Sequence, residues 1–195
     1  MRRLSWWAAA AAGVALFAAA CGGPANTSTT RGNAGSLAFD YPSDWTLSPS
    51  SNNQHYYSVL AFLISPTAHA SETCGPDHIA GLGSCSDSYD VPGGAAVVQL
   101  SEWDGPPRPD GARTLIAEDI AAGWQSLVVA GQSAAYLAVP GGPASETTLT
   151  WQIAGPETGG QVTYEVRAMI GPGTSNLTTV VEAIVSSLRI APQTP

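Results

Sequence analysis

The sequence predicts an α+β fold in which an antiparallel sheet carries two main helices, arranged as an α/β sandwich. Residues 148–153 and 161–170 alternate apolar and polar side chains on either side of the turn GPETGG, as the two strands of a hairpin do. Residues 112–124 and 175–188 instead place apolar side chains at helical spacing. Each strand of the hairpin has one apolar face, so we expect the sheet to be covered on one side.

The chain between the start of the domain and this hairpin contains further strand candidates. Five segments have the alternation or the apolar content of strands: 37–41, 56–64, 95–103, 126–130 and 134–139. Turn residues follow the first of them, and Trp45 comes next as an expected core side chain. Residues 66–94 are long, polar and rich in glycine and serine, which predicts a loop.

The segment 175–188 has a single apolar stripe on a helix. Its members recur at helical spacing and are Leu177, Val180, Val181, Ile184, Val185 and Leu188. A stripe of this kind packs on a sheet or binds a partner, and we expect packing on the sheet.

The N-terminus resembles a bacterial lipoprotein signal. Arg2 and Arg3 precede an apolar run that is shorter than the roughly 20 residues of a membrane span, and small residues lead to Cys21. We therefore predict a signal peptide at 1–20 and a lipid, such as palmitate, on Cys21. The alternatives are a secretory signal with ordinary cleavage and a short N-terminal anchor.

The predicted mature chain has three parts. Residues 21–35 lack large apolar side chains and are expected to form a flexible tether, residues 36–191 a single globular domain, and residues 192–195 a tail. From Cys21 onward, five arginines face fifteen acidic residues, which is a formal net charge of −10. Such a charge argues against nucleic acid as a partner, so we expect membrane attachment through the lipid alone.

Cys74 and Cys85 are the cysteines that remain beside the lipid anchor. An even pair eleven positions apart in an exported chain favours a disulfide. The alternatives are a metal site, formed by both sulfurs with His78 and with Asp77 beside them, and free thiols. The spacing matches no standard zinc motif, so we expect no metal and no other cofactor.

Signals for catalysis are weak throughout the sequence. It contains no G-x-S-x-G motif, no phosphate-binding glycine loop and no lysine, and His55, His69 and His78 are each expected in a polar or small-residue loop. The pairs Asp40/Asp44 and Glu102/Asp104 flank aromatic residues, as carboxylates do in glycoside hydrolases. We expect no catalytic residue, and a hydrolase is the least favoured alternative.

Two short segments resemble the PsbP/Mog1-like fold. The segment 39–45, FDYPSDW, is similar to the F-x-Y-P-x-x-W opening of those domains, and the segment 180–189, VVEAIVSSLR, is similar to their closing helix with its S-L step. The resemblance implies an α/β sandwich over about residues 36–191. It also implies adaptor-like binding without catalysis, because the fold includes a photosystem II subunit, a Ran-binding protein and many bacterial lipoproteins. No site residue is transferred by it.

These observations together predict a lipid-anchored protein on the extracytoplasmic face of the cell membrane. Its expected role is that of a non-catalytic binding or scaffolding module that contacts another cell-envelope protein. The alternative is a carrier of a lipid or another apolar small molecule, with a cavity lined by tryptophans (Trp45, Trp103, Trp124 or Trp151).

Overall fold

The computed structural model of the chain describes residues 28–54, 56–74, 85–104, 111–142, 145–156, 162–173 and 176–191. The strands within these ranges are β1 (Thr29–Ala34), β2 (Leu37–Pro42), β3 (Thr46–Pro49), β4 (Asn53–Gln54), β5 (Tyr57–Ile64), β6 (His69–Cys74), β7 (Cys85–Asp90), β8 (Ala96–Trp103), β9 (Gln125–Val129), β10 (Gln132–Val139), β11 (Thr147–Ala154), β12 (Thr163–Ile170) and β13 (Arg189–Ile190). The helices are α1 (Gly111–Ala121) and α2 (Asn176–Ser186). The predicted signal peptide 1–20, Cys21 and the predicted tail 192–195 lie outside the described residues.

Eight strands form one large antiparallel sheet. Its order is β3-β5-β8-β12-β11-β10-β9, and β4 pairs with the start of β5. The predicted hairpin is confirmed as β11 and β12, whose register pairs Trp151 with Val166 and Gln152 with Glu165. The other predicted strands are confirmed as β2, β5, β8, β9 and β10. The fold class is therefore α+β, as the sequence predicts, with much more sheet than helix.

The main hydrophobic core lies against one face of this sheet, which we call the first face. The strands contribute buried side chains at alternate positions, among them Leu63, Val98, Leu149, Trp151 and Val166. Helix α2 covers them with Val181, Ile184 and Val185, so the prediction that its apolar stripe packs on the sheet is confirmed.

A small sheet with the order β1-β2-β13 completes the cover of the first face. Ser187 joins this sheet to the end of α2, because its Oγ accepts a hydrogen bond from the Asp40 amide (2.8 Å) and donates one to the Ile184 carbonyl (2.7 Å). Phe39 and Trp45 are buried in the core. The segments that resemble PsbP/Mog1-like domains thus form the joint between β2 and α2.

The tether predicted for residues 21–35 is incorrect for its second half. Residues 29–34 form β1, which pairs along its whole length with β2. The strand has no large apolar side chain, and its inward positions are Gly32 and Ala34. Small residues suffice there because the neighbouring rings fill the space: a Cβ on Gly32 would lie 2.8 Å from both the Phe39 and the Tyr41 rings.

Gly32→Ala is therefore expected to destabilise the domain, by about 1–3 kcal/mol, because the added methyl group overpacks the space between β1 and the rings of β2. Urea unfolding followed by tryptophan fluorescence measures the loss. Asn33→Ala, at the exposed neighbouring position of the same strand, is the matched control. Equal midpoints for Gly32→Ala and the wild type would mean that residues 29–34 are a free tether after all.

The large sheet is also covered on its opposite face, which we call the second face, whereas the alternation of β11 and β12 predicts one covered side. The segment 66–94, expected to be a loop, contains the hairpin β6–β7. Tyr89 of this hairpin meets Phe62 edge-on, with ring centroids 6.0 Å apart, in a cluster that includes Val97 and Met169. At the other end of the face, α1 places Ile116 against β10 and β11.

Candidate functional site

A polar strip runs across the second face between the hairpin β6–β7 and helix α1. Its members come from the central strands β8, β12 and β11 and are Gln99, Ser101, Thr150, Gln152, Glu165 and Arg167. The antiparallel register sets Ser101, Glu165 and Gln152 in one row, and the other three in the next row. Strand neighbours lie about 4.8 Å apart, so the members of a row are within hydrogen-bonding reach of each other or of one small ligand.

The end of the polar strip nearest the hairpin is a closed hydrogen-bond network. The Gln99 amide donates to Tyr57 Oη (2.7 Å) and to Ser101 Oγ (3.0 Å), and it accepts from the Tyr89 hydroxyl. Tyr57 also donates to Ser101 Oγ (3.0 Å). Burial raises the pKa of both tyrosines, so they keep their protons and remain donors at neutral pH. The network holds Gln99 and Ser101 in fixed positions.

Glu165 lies at the centre of the polar strip. Its Oε2 accepts a hydrogen bond of 2.6 Å from the Gln152 amide across the β11–β12 ladder. Burial raises the pKa of the Glu165 carboxyl and the negative charge of Asp119 on α1 adds to the rise, whereas the Gln152 hydrogen bond and Arg167 oppose it. The carboxylate is thus held in place by one neutral donor, and the positive charge of Arg167 favours its ionised form.

The raised pKa of Glu165 predicts a pH dependence of stability. The folded protein keeps the proton on Glu165 to higher pH than the unfolded chain does, so this group's contribution to the free energy of unfolding falls as pH rises above about 4.5, the ordinary glutamate value. Glu165→Gln removes this titration. Compared with the wild type, the variant should become progressively more stable as pH is raised from the acid range to neutrality.

Urea titrations of both proteins at a series of pH values measure this trend. Glu146→Gln is the control, since Glu146 is exposed in the turn before β11. A Glu165→Gln variant whose stability runs parallel to the wild type at every pH would contradict the prediction.

Two further features border the polar strip. Trp103, at the end of β8, is 41% exposed, although it pairs across the sheet with both Tyr57 and Thr163. Thr163 is only 2% exposed, and its hydroxyl oxygen is buried without a hydrogen-bond partner. A buried polar atom without a hydrogen-bond partner lowers the stability of the folded state by about 1–3 kcal/mol, and such atoms are therefore rare in folded proteins.

Carboxylates flank the polar strip on both sides. Asp87 lies on β7 and Asp119 on α1, and burial raises the pKa of each. The charge of Glu72 adds to the rise at Asp87, and that of Glu118 adds to the rise at Asp119. The surroundings of the polar strip are therefore acidic, as the net charge of the chain leads one to expect.

Of the sites predicted from sequence, the cysteine pair is seen directly. Cys74 and Cys85 face each other across β6 and β7 and form a disulfide. Sulfurs bonded to each other are not thiolate ligands, so the alternative metal site loses two of its ligands in this structure. Its other residues, Asp77 and His78, lie outside the described residues, as Cys21 does.

The histidines and carboxylate pairs fall at separate places. His69 is exposed on strand β6 and not in a loop, while His55 and His78 are outside the described residues. Asp40 binds Arg31 (3.2 Å) and Arg189 (3.3 Å), and the Arg31 hydrogen bond is the main cause that lowers the pKa of Asp40. Asp40 thus links the three strands of the small sheet.

The tryptophans proposed to line a carrier cavity do not share one cluster. Trp45 and Trp151 are buried in the main core, and Trp124 packs with the small cluster under α1. Trp103 lies at the end of the polar strip. Among the residues that the structure describes, the tryptophans other than Trp103 therefore act chiefly as packing.

The polar strip itself was not predicted. Gln99 and Ser101 lie within AAVVQLSEW, which its apolar content marks as a buried strand. The signal was present: two polar residues two positions apart on a buried strand share one face, and buried polar groups need partners. Their hydrogen-bond partners outside β8, Tyr57 and Tyr89, come from β5 and β7, and only the tertiary structure identifies them.

Solved structures that are similar to this chain include two proteins at low sequence identity. One is a protein of Bacteroides thetaiotaomicron VPI-5482, with a TM-score of 0.48 and 12% identity, over 81% of this chain and 46% of that one. The other is LpqN, a protein involved in cell envelope biogenesis of Mycobacterium tuberculosis, with a TM-score of 0.47 and 17% identity, over 85% of this chain and 91% of that one. The chain thus spans about half the length of the Bacteroides protein.

No family model matches the chain, and no curated protein sequence matches it. The two structural matches place the chain in no family, and the PsbP/Mog1-like type of sandwich remains a prediction. Neither α1 nor α2 has the length and the apolar composition that a membrane-spanning helix needs.

Proposed function

We propose that this chain is a non-catalytic binding module of the cell envelope, held on the extracytoplasmic face of the membrane by a lipid on Cys21. Its contact surface is the accessible part of the polar strip, which consists of Thr150, Gln152, Glu165 and Arg167, together with Trp103. The lipoprotein-like N-terminus supports the location, and the disulfide suits an oxidising compartment outside the cytoplasm.

The polar strip is the observation that carries the binding role. Partly buried polar groups add little to stability, since each loses its hydration and must be paired again inside the protein. The first face carries the main hydrophobic core, as the buried face of a sheet usually does. A second face that keeps a carboxylate, a guanidinium and two carboxamides on its central strands fits recognition better than packing.

The hydrogen bonds of Ser101 and Glu165 support the proposal that the module is not catalytic. Ser101 is the fully buried serine of this face, and its Oγ accepts hydrogen bonds from Tyr57 and Gln99. A nucleophilic serine would instead donate to a base. Glu165 is likewise bound to Gln152 and lies in the field of Arg167.

Metabolic labelling with a fatty acid tests the location. The wild type should incorporate label into the envelope fraction, and Cys21→Ser should not. An unlabelled wild-type chain that fractionates with the cytoplasm would contradict the proposed anchor.

Photocrosslinking in intact cells tests the contact surface. A photoreactive residue in place of Arg167 should give a discrete adduct with an envelope component, whereas the same residue in place of Glu182, on the exposed side of α2, should give none. A lipid that co-purifies in stoichiometric amount would instead favour the carrier. Hydrolytic activity that is lost in Glu165→Gln would favour a hydrolase.

A further inference from the structure

We propose that the polar strip and Trp103 together form a binding site for an uncharged carbohydrate. The inference rests on the proposed function and names the class of ligand for that surface. Three observations carry it: the exposure of Trp103, the mixture of hydrogen-bonding groups beside it, and the partnerless hydroxyl of Thr163.

Trp103 is placed as a stacking surface. It is 41% exposed at the end of a central strand, whereas the preceding residues of β8 on the same face, Gln99 and Ser101, are buried. An indole ring offers a broad apolar face with little conformational freedom to lose. The C–H face of a sugar ring is apolar and flat, so a stacked sugar would cover the exposed part of the ring.

The row next to Trp103 supplies the polar half of the recognition. Same-face residues of a strand are about 7 Å apart and neighbouring strands about 4.8 Å, so the backbone of Glu165 lies about 8 Å from that of Trp103 and the backbone of Gln152 about 12 Å, a span of one to two sugar rings. Glu165 offers acceptors, Gln152 offers both a donor and an acceptor, and Arg167 offers donors. Sugar hydroxyls both donate and accept, and this mixture suits them better than it suits an apolar ligand.

The charges argue that the carbohydrate is uncharged. Glu165, Asp87 and Asp119 surround the site, and mutual repulsion among carboxylates already contributes to their raised pKa values. An anionic polymer would add to that repulsion. Arg167, within the polar strip itself, disfavours a cationic ligand in turn.

Thr163 gives the site a polar group that the unbound protein leaves without a partner. Its side chain belongs to the second face, beside Trp103 and two positions from Glu165 on the same strand. In the proposed complex, a sugar hydroxyl beside the stacked indole reaches Thr163 Oγ1 when the Trp103 side chain turns to stack. Binding would thereby give Thr163 Oγ1 the hydrogen-bond partner that it lacks in the unbound protein.

Calorimetric titration of the purified full chain tests the proposal, in a zwitterionic detergent without a sugar head group. The probes are maltohexaose, cellohexaose and chitohexaose, with a hyaluronan hexasaccharide as the anionic comparison. At least one neutral probe should bind saturably, and Trp103→Ala and Glu165→Gln should each weaken it about tenfold or more. Val139→Ala, an exposed apolar residue at the far end of the same face, should have no effect.

Thr163→Val separates binding from folding. Removing a partnerless buried hydroxyl should leave the urea midpoint equal or higher, while affinity for the neutral probe falls. The inference is overturned if none of the neutral probes binds, if the anionic probe binds equally well, or if Trp103→Ala binds like the wild type. If Cys21 carries the fatty-acid label and position 167 gives a crosslink, but no sugar binds, this inference is wrong and the proposed function still holds.

Discussion

Replacing Phe39 by alanine is expected to lower the free energy of unfolding by about 3–5 kcal/mol, the largest loss for any single change considered for this chain. Phe39 is fully buried between β1 and the first face of the large sheet, and its ring centroid is 5.9 Å from that of Tyr41. Truncation leaves a cavity where the small sheet meets the core. Equilibrium unfolding in urea, followed by tryptophan fluorescence, measures the change.

Phe39→Leu is the matched control for this prediction, because it keeps an apolar side chain and most of the volume. It should cost clearly less than Phe39→Ala. A loss below about 1 kcal/mol in the alanine variant would mean that the small sheet is not an integral part of the core.

The double variant Cys74→Ser/Cys85→Ser is expected to lower stability by about 3 kcal/mol, since the disulfide closes a segment of eleven positions and restricts the unfolded chain. The loss should be confined mainly to the hairpin β6–β7. Tyr89 and Phe62 still hold that hairpin on the sheet, and Glu72 accepts hydrogen bonds from Ser50 and Ser51.

Hydrogen exchange localises this effect. Amides of β6 and β7 should lose protection in the double variant, while those of β11 and β12 keep theirs until global unfolding. Ser86→Ala, at an exposed position on the same hairpin, is the control. If the wild type gives identical masses with and without reduction after alkylation, the cysteines are free thiols and the prediction fails.

The elements that the sequence predicts well are those with large side chains in a regular period. Helix α2 has a complete apolar stripe, and β11 and β12 alternate over their whole length, so local pattern and tertiary packing agree. The segments of β5 and β8 are instead predicted by their dense apolar content. A large apolar side chain must be buried, and its period states which face is buried.

The missed elements are built from small or polar residues. Strand β1 buries Gly32 and Ala34, and the hairpin β6–β7 half-buries Ala70 and Tyr89 among serines and acids. Such segments have little apolar area, so their structure depends on what lies beside them. Packing against the Phe39 and Tyr41 rings of β2 stabilises β1. The disulfide and the contact between Tyr89 and Phe62 stabilise the hairpin β6–β7.

The residues alone were enough to indicate the class of fold, the closing helix, the cysteine pair and the acidic character of the domain, because each follows from composition or from a local period. The polar strip required the folded molecule. Gln99 and Ser101 are separated from Gln152 and Glu165 by about fifty to sixty-five positions of sequence, and the order β8-β12-β11 makes them neighbours. Burial of apolar side chains on both faces favours this strand order, and the same order brings the polar residues of the second face together.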